Sequence, residues 1–306
     1  MILTVCQNPC IDCTLEVEDF KVGRLNRIDN RIENMAGKAL NTAVGIKRLG
    51  GGVFASGFMF EHGGKQFVRF LNGEGIDNDF VWNKGRLRIN YKIIDGKSMM
   101  TEINDRGDHV DVPRQNELIE KVRFLSAQAT VVVISGSLPD GVEDGFYYEL
   151  VKAAGDCKVI VDAEKGRLKE ALKAGVYMVK PNLYELEKFN NERYESFEEM
   201  IEGCKKLIAA GAENVMLSIG RNGSIFTDGK ESYYCKSENV AVNSTVGAGD
   251  SMVAAAAIAI ECSAKREEII KSAVAAATAS ITTAGTNLFT KEKYEEIFDK
   301  LSVVKM

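Results

Sequence analysis

The sequence predicts an α/β fold: a mostly parallel sheet flanked by helices, with a small sheet to one side that covers a ligand cleft or pairs with another subunit. Three observations predict it. Short runs of β-branched apolar residues alternate with helical patterns, as parallel strands buried on both faces do. Several of those runs stop at polar or glycine-rich residues, the usual composition of a strand's carboxyl end in such folds. Two stretches, roughly 13–33 and 86–110, instead alternate polar with apolar residues, which marks half-exposed antiparallel strands. Residues 1–306 are read as one domain with these two lid segments inserted, because neither a repeat nor a linker interrupts the chain.

Each element has a local reason. Residues 2–5 read as a first strand, since no basic stretch precedes them. A helix over 41–49 follows the Gly37-Lys38 pair and stops at Gly50. Strand 131–134 ends at Ser135-Gly136-Ser137 and strand 159–161 at Asp162. Strand 176–179 ends at Lys180-Pro181-Asn182, and strand 215–217 at Ser218-Ile219-Gly220. A helix over 197–210 stops at Gly211, because glycine takes the left-handed turn that closes a helix. Helices 251–261 and 267–283 are alanine-rich and apolar on most faces, as helices packed closely on a sheet are.

Composition narrows the function. Thirty-nine basic residues against 44 acidic give a net charge of −5, which speaks against nucleic acid as a partner. A small anionic ligand needs only a few well-placed cations and stays open. The seven cysteines, odd in number, read as free thiols of a cytoplasmic protein. Cys10 and Cys13 form a C-x-x-C, but no second pair completes a metal site, so buried thiols are the simpler reading. The most apolar stretch, 252–262, is too short to span a bilayer, so no membrane partner is expected. His62 and His109 are the only histidines, and no G-x-S-x-G occurs, which argues against serine-hydrolase chemistry.

Five motifs can carry chemistry. Thr245-Val246-Gly247-Ala248-Gly249-Asp250 directly precedes a helix. Its small residues let a ligand approach backbone N–H groups that converge at the helix start, a nest suited to phosphate. Asp250 then has two readings: an N-cap, or a general base that takes a proton from an attacking hydroxyl. The chain has neither a Walker A loop nor a full Rossmann fingerprint, since Met252 stands where the third glycine belongs. Ala36-Gly37-Lys38-Ala39-Leu40-Asn41 offers close backbone approach, a point charge and an amide for a hydroxyl, or else a solvated helix start. Asn8-Pro9-Cys10-Ile11-Asp12 puts a carboxylate after the first strand, for paired hydroxyls or as a turn residue. Lys180, Asn182 and Glu185 can face nucleotide phosphates or hydrated Mg²⁺. Ser218-Ile219-Gly220-Arg221-Asn222-Gly223 is a further glycine-bearing strand end, and these last two can equally be turns. In the lid, Arg88 is either solvated or grips a phosphate bidentately.

Taken in this order, the motifs resemble the ribokinase/PfkB family of sugar kinases over nearly the whole chain, and most of all its 1-phosphofructokinase and tagatose-6-phosphate kinase branches. The resemblance implies an ATP-dependent, Mg²⁺-assisted sugar-phosphate kinase. Its expected acceptor is fructose 1-phosphate, with tagatose 6-phosphate phosphorylation, or a non-catalytic sugar or nucleotide sensor on the same fold, as alternatives. It implies Asp250 as catalytic base and the amides of Gly247, Ala248 and Gly249 as anion hole. Asp12, Gly37, Lys38, Asn41, Arg88 and Asn90 would hold the sugar phosphate. Lys180, Asn182, Ser218, Gly220, Gly223, Thr245 and Gly249 would line the nucleotide site, with Glu185 reaching the metal through water. The resemblance further implies a ribokinase-like doubly wound sheet with the small β-sheet as a lid, and a homodimer through that lid sheet. The family usually has glycine where Ala39 stands, and the extra methyl would narrow the sugar site.

Overall fold

A computed structural model describes residues 1–97, 99–283 and 288–306. The chain runs β1 (Ile2–Cys6), β2 (Cys10–Val17), β3 (Asn30–Ala36), α1 (Lys38–Arg48), β4 (Val53–Phe60), α2 (Glu61–Gly73), β5 (Asp77–Arg86), β6 (Arg88–Asp95) and β7 (Met100–Ile103). It continues with α3 (Val112–Ser126), β8 (Val131–Ser135), α4 (Phe146–Ala153), β9 (Lys158–Asp162), α5 (Lys165–Ala174), β10 (Val176–Val179), α6 (Leu183–Asn190), α7 (Phe197–Ala209) and β11 (Ala212–Ser218). The remaining elements are β12 (Ser224–Thr227), β13 (Ser232–Cys235), α8 (Ala248–Glu261), α9 (Arg266–Ile281), α10 (Lys291–Lys300) and β14 (Val303–Lys305).

The main sheet has ten strands in the order β14-β13-β12-β11-β10-β9-β8-β1-β4-β5. From β11 to β5 all neighbours are parallel, and β12, β13 and β14 close that edge antiparallel. The parallel strands are apolar throughout because helices cover both faces: Val131, Val132, Val133 and Ile134 are all fully buried. From β1 the chain moves outward to β4 and β5, then returns to β8 on the other side of β1. That reversal is a topological switch point, where the carboxyl ends of neighbouring strands open a crevice.

A separate sheet of four strands, β3-β2-β6-β7, stands beside this crevice. Its strands differ from the segments expected from alternation: β2 begins earlier, at Cys10, β3 runs on to Ala36, and no strand covers 104–110. Two helices also begin earlier than read from sequence. Helix α1 starts at Lys38 behind Gly37, and α8 at Ala248 behind Gly247. The N-cap reading of Asp250 is thereby corrected, since Asp250 is the third residue of α8 and Gly247 is the cap. Both caps need glycine, having φ of 138° and 82°. A Cβ on Gly37 would also lie 3.1 Å from Cys6 Sγ, and one on Gly247 2.8 Å from Leu288. Ala39 is fully buried in the core and does not line the cavity, so its methyl does not narrow it. No helix among the described residues is long and apolar enough to cross a membrane.

Candidate active site

A cavity of about 530 Å³ opens at the switch point. Cys6 and Asn8 from the end of β1, and Gly136 and Ser137 from the end of β8, form its floor. Arg88 and Asn90 of β6 wall it on the small-sheet side, and Lys38 and Asp162 on the core side.

Asp162, the last residue of β9, is the electrostatic centre and only 2% exposed. Strands β9 and β10 run parallel with Val161 opposite Val179, which places Asp162 beside Lys180. The Asp162 oxygens meet Lys38 Nζ at 3.2 Å and Lys180 Nζ at 3.6 Å. Burial alone would raise this carboxyl, but the Lys180 and Lys38 ammoniums hold it below the usual range. The same contact raises Lys38 above its ordinary value, with Asp162 the largest cause. Sequence reading named Asp162 only as a strand end. Its partner Lys38 lies 124 residues away, which no local pattern encodes.

Asp250 is 7% exposed and does not itself line this cavity, but its charge acts on Lys38, which does. Burial pushes its carboxyl up to about 6, opposed by the Lys38 charge and the hydrogen bond donated by Asn41 Nδ2 at 2.7 Å. Asn41, expected to face a hydroxyl, thus holds the carboxylate. Around Asp250 the first amides of α8 have no acceptor within the helix. The nearest acceptor of Ala248 N–H is Thr245 O, at a long 3.5 Å. A Cβ on Gly249 would sit 3.3 Å from Lys180 Nζ, so the ammonium lies against this turn. An ionisable carboxylate, open amides and a lysine therefore meet at one helix start.

On the small sheet, Asp12 is in mid-strand β2, not at a strand end, and does not line the cavity. It accepts from Asn90 Nδ2 at 3.1 Å and pairs with buried Lys92 at 2.7 Å. Lys92 was missed, because its alternation with Tyr91 and Ile93 puts it with Arg88 and Asn90 on the polar face of the strand, which looks solvated. Cys10 and Cys13 share this strand three positions apart, so they point to opposite faces about 10 Å apart. That separation rules out both a disulfide and a shared metal, and burial keeps the Cys10 thiol protonated. Arg88 donates to Asn8 O from Nε at 3.2 Å and Nη2 at 3.0 Å. Its Nη1 donates to Asn90 Oδ1 at 2.9 Å and Asp105 O at 3.2 Å.

The remaining expected residues lie along the ends of β10 and β11. Asn182 caps α6, and the Asn182 N–H donates to Glu185 Oε2 at 2.9 Å, a capping box. Burial raises the Glu185 carboxyl, against that bond. Ser218 N–H donates to Pro181 O at 3.0 Å, joining the two strand ends. Gly220 faces open space, whereas a Cβ on Gly223 would come within 2.0 Å of Cys235 O. The glycine at 223 is thus required by packing on β13. Thr245 is exposed at the approach to α8.

A family profile described as "pfkB family carbohydrate kinase" matches residues 4–293. The chain is 32% identical to 1-phosphofructokinase of Borreliella burgdorferi, over 92% of this chain and 91% of that protein. It is 29% identical to 1-phosphofructokinase of Haemophilus influenzae, covering 96% and 97%. A crystal structure of phosphofructokinase-2 from Escherichia coli in complex with potassium superposes with a TM-score of 0.91. That match has 27% identity and covers 98% of both chains.

Proposed function

The chain belongs to the PfkB family of carbohydrate kinases, and on that premise we propose that it transfers the γ-phosphoryl of ATP to the 6-hydroxyl of fructose 1-phosphate. The products are fructose 1,6-bisphosphate and ADP. The observation that carries the reading is the Asp250 carboxylate, held by Asn41 at 2.7 Å beside the open amides of α8.

In this reading Asp250 takes the proton of the acceptor hydroxyl as its oxygen bonds to the γ-phosphorus. The bond to the β,γ-bridging oxygen breaks, and ADP leaves. The amides of Gly247, Ala248 and Gly249 stabilise charge on the transferring group. Lys38, Arg88, Asn90, Gly37 and Asn41 hold the sugar phosphate, and Asp12 acts behind them by accepting from Asn90 at 3.1 Å. Lys180, Asn182, Ser218, Gly220, Gly223 and Thr245 line the nucleotide path. Magnesium ordinarily needs one or two carboxylates beside phosphate oxygens and water. No three acidic, His or Cys side chains converge among the described residues, and both Asp162 oxygens already face lysines. The donor set fits a hydrated ion held by Glu185 through water, since Glu185 Oε2 is committed to its cap. When bound, the metal would neutralise charge on the phosphates. The small sheet carries exposed Ile32 and Ile103, which suit pairing with a second copy of the chain.

ADP release is the test, measured on fructose 1-phosphate, tagatose 6-phosphate, fructose 6-phosphate and the free sugars. A ketose monophosphate is expected to exceed its free sugar at least tenfold in kcat/KM, about 1.4 kcal/mol. Equal rates would overturn the reading. The pH profile is a second check. Asp250 must be ionised to act, and burial lifts it to about 6. kcat/KM should therefore fall below a limb near pH 6 and stay level above it. Activity undiminished down to pH 4.5 would exclude Asp250 as the base.

A further inference from the structure

We infer that Arg167 is the bidentate grip on the phosphate already carried by the acceptor, while Arg88 supplies fixed charge opposite it. This rests on the kinase reading above. The argument is a count of donors. A guanidinium has five N–H groups, and Arg88 spends four on Asn8 O, Asn90 Oδ1 and Asp105 O. One remains, which cannot make the paired bonds of a fork on phosphate. Lys38 is likewise drawn to Asp162. The two cations assigned to the acceptor phosphate are thus largely occupied by the protein itself.

Arg167 is not. It lines the same cavity from α5, half-buried, and its one hydrogen bond among the described residues is to Gly136 O at 3.4 Å. That oxygen already accepts from Tyr147 Oη at 2.8 Å, so the contact adds little for either partner. No carboxylate pairs with Arg167 among the described residues. Of the acids around the cavity, Asp162 is taken by Lys38 and Lys180, and Asp140 by His109. Glu164, one turn before Arg167, makes no ion pair with it, and the Asp105 carboxylate accepts from Gly107 N–H at 3.1 Å.

The location is locally unfavourable, which makes it informative. Arg167 is in the first turn of α5, where the helix dipole repels a cation. Lys165, which opens that helix, has φ of 55° in the left-handed region that disfavours side chains. Strain and adverse charge together at a cavity wall fit a guanidinium placed for an anion. Arg106 also lines the cavity but is exposed on a loop, and Asn8 is bound to its carbonyl.

The test uses the full-length chain and the variants Arg167→Gln and Arg167→Lys. Arg167→Gln should raise KM for the ketose phosphate at least tenfold, lower kcat far less, and leave KM for ATP unmoved. Arg167→Lys should recover only part of the loss, because an ammonium cannot fork. Inorganic phosphate should compete with the sugar phosphate in wild type, and tenfold more weakly in Arg167→Gln. An unchanged KM and unchanged phosphate inhibition, in an active enzyme with wild-type melting, would overturn the assignment and leave the kinase reading intact. A wild type that turns over no ketose phosphate would instead overturn the kinase reading. Calorimetric titration with inorganic phosphate, wild type against Arg167→Gln, then decides on Arg167 alone.

Discussion

Asp250→Asn is expected to lower kcat by two to four orders of magnitude, while nucleotide binding persists and the fold becomes no less stable. General-base catalysis accounts for about 10²–10⁴ in rate. The amide matches the carboxylate in shape but cannot take a proton. The stability half follows from the raised carboxyl. A group lifted from 3.8 to about 6 by burial contributes stability that is lost as pH rises through 6. At neutral pH the ionised form therefore costs on the order of 2–3 kcal/mol of folding free energy. Asparagine removes that cost and keeps a partner for Asn41. Steady-state kinetics, ATP titration and thermal melting measure the three quantities separately. A variant that loses activity together with its melting temperature would point to a structural role for Asp250. A variant that turns over normally would end its role as base.

Asp162→Asn should act in the opposite direction on stability. Asp162 is the anion in direct contact with both Lys38 and Lys180, and Lys180 is 6% exposed. Removing one partner of a buried pair leaves an uncompensated charge and costs about 3–5 kcal/mol. The pH dependence has a definite sign. The carboxyl is held below its ordinary range, so its contribution is present above about pH 4 and lost as pH falls. The stability gap between wild type and variant, read by urea unfolding, should be largest near pH 7 and close toward pH 3. Activity should fall as well, because both Lys38 and Lys180 lose their anchor. A gap that stays constant with pH would show that the pair contributes through shape and not charge.

Five of the parallel strands, β1, β8, β9, β10 and β11, were legible because buried parallel strands must be apolar on both faces, whereas β4 and β5 were not read, since β4 is broken by Ser56-Gly57 and β5 carries Asp77, Asn78, Asp79, Asn83 and Lys84. Helix starts were read late by the same margin at α1 and α8, for one reason. Both are capped by glycine, which offers no side-chain oxygen to mark the boundary. The short antiparallel strands β12, β13 and β14 were not read, since three or four residues carry too little periodicity. Within the site, motifs with glycines or a proline beside the polar group were found. Asp162, Lys92 and Arg167 were not, because each gains meaning only from a residue far along the chain. Lys92, for instance, meets Asp12 across 80 positions.

The small sheet is tied to the main sheet by four peptide connections, and each runs through the cavity wall. Asn8 lies between β1 and β2, Lys38 directly follows Gly37 after β3, Arg88 follows the single residue Leu87 after β5, and Asp105 lies between β7 and α3. Leu87 is itself pinned by its N–H to His62 O at 3.0 Å. Any tilt of the small sheet must therefore turn these joints and shift the cavity's polar groups in the same stroke. Closing over a sugar phosphate and tightening on it would be one mechanical event. A substitution at such a joint should then alter affinity and turnover together.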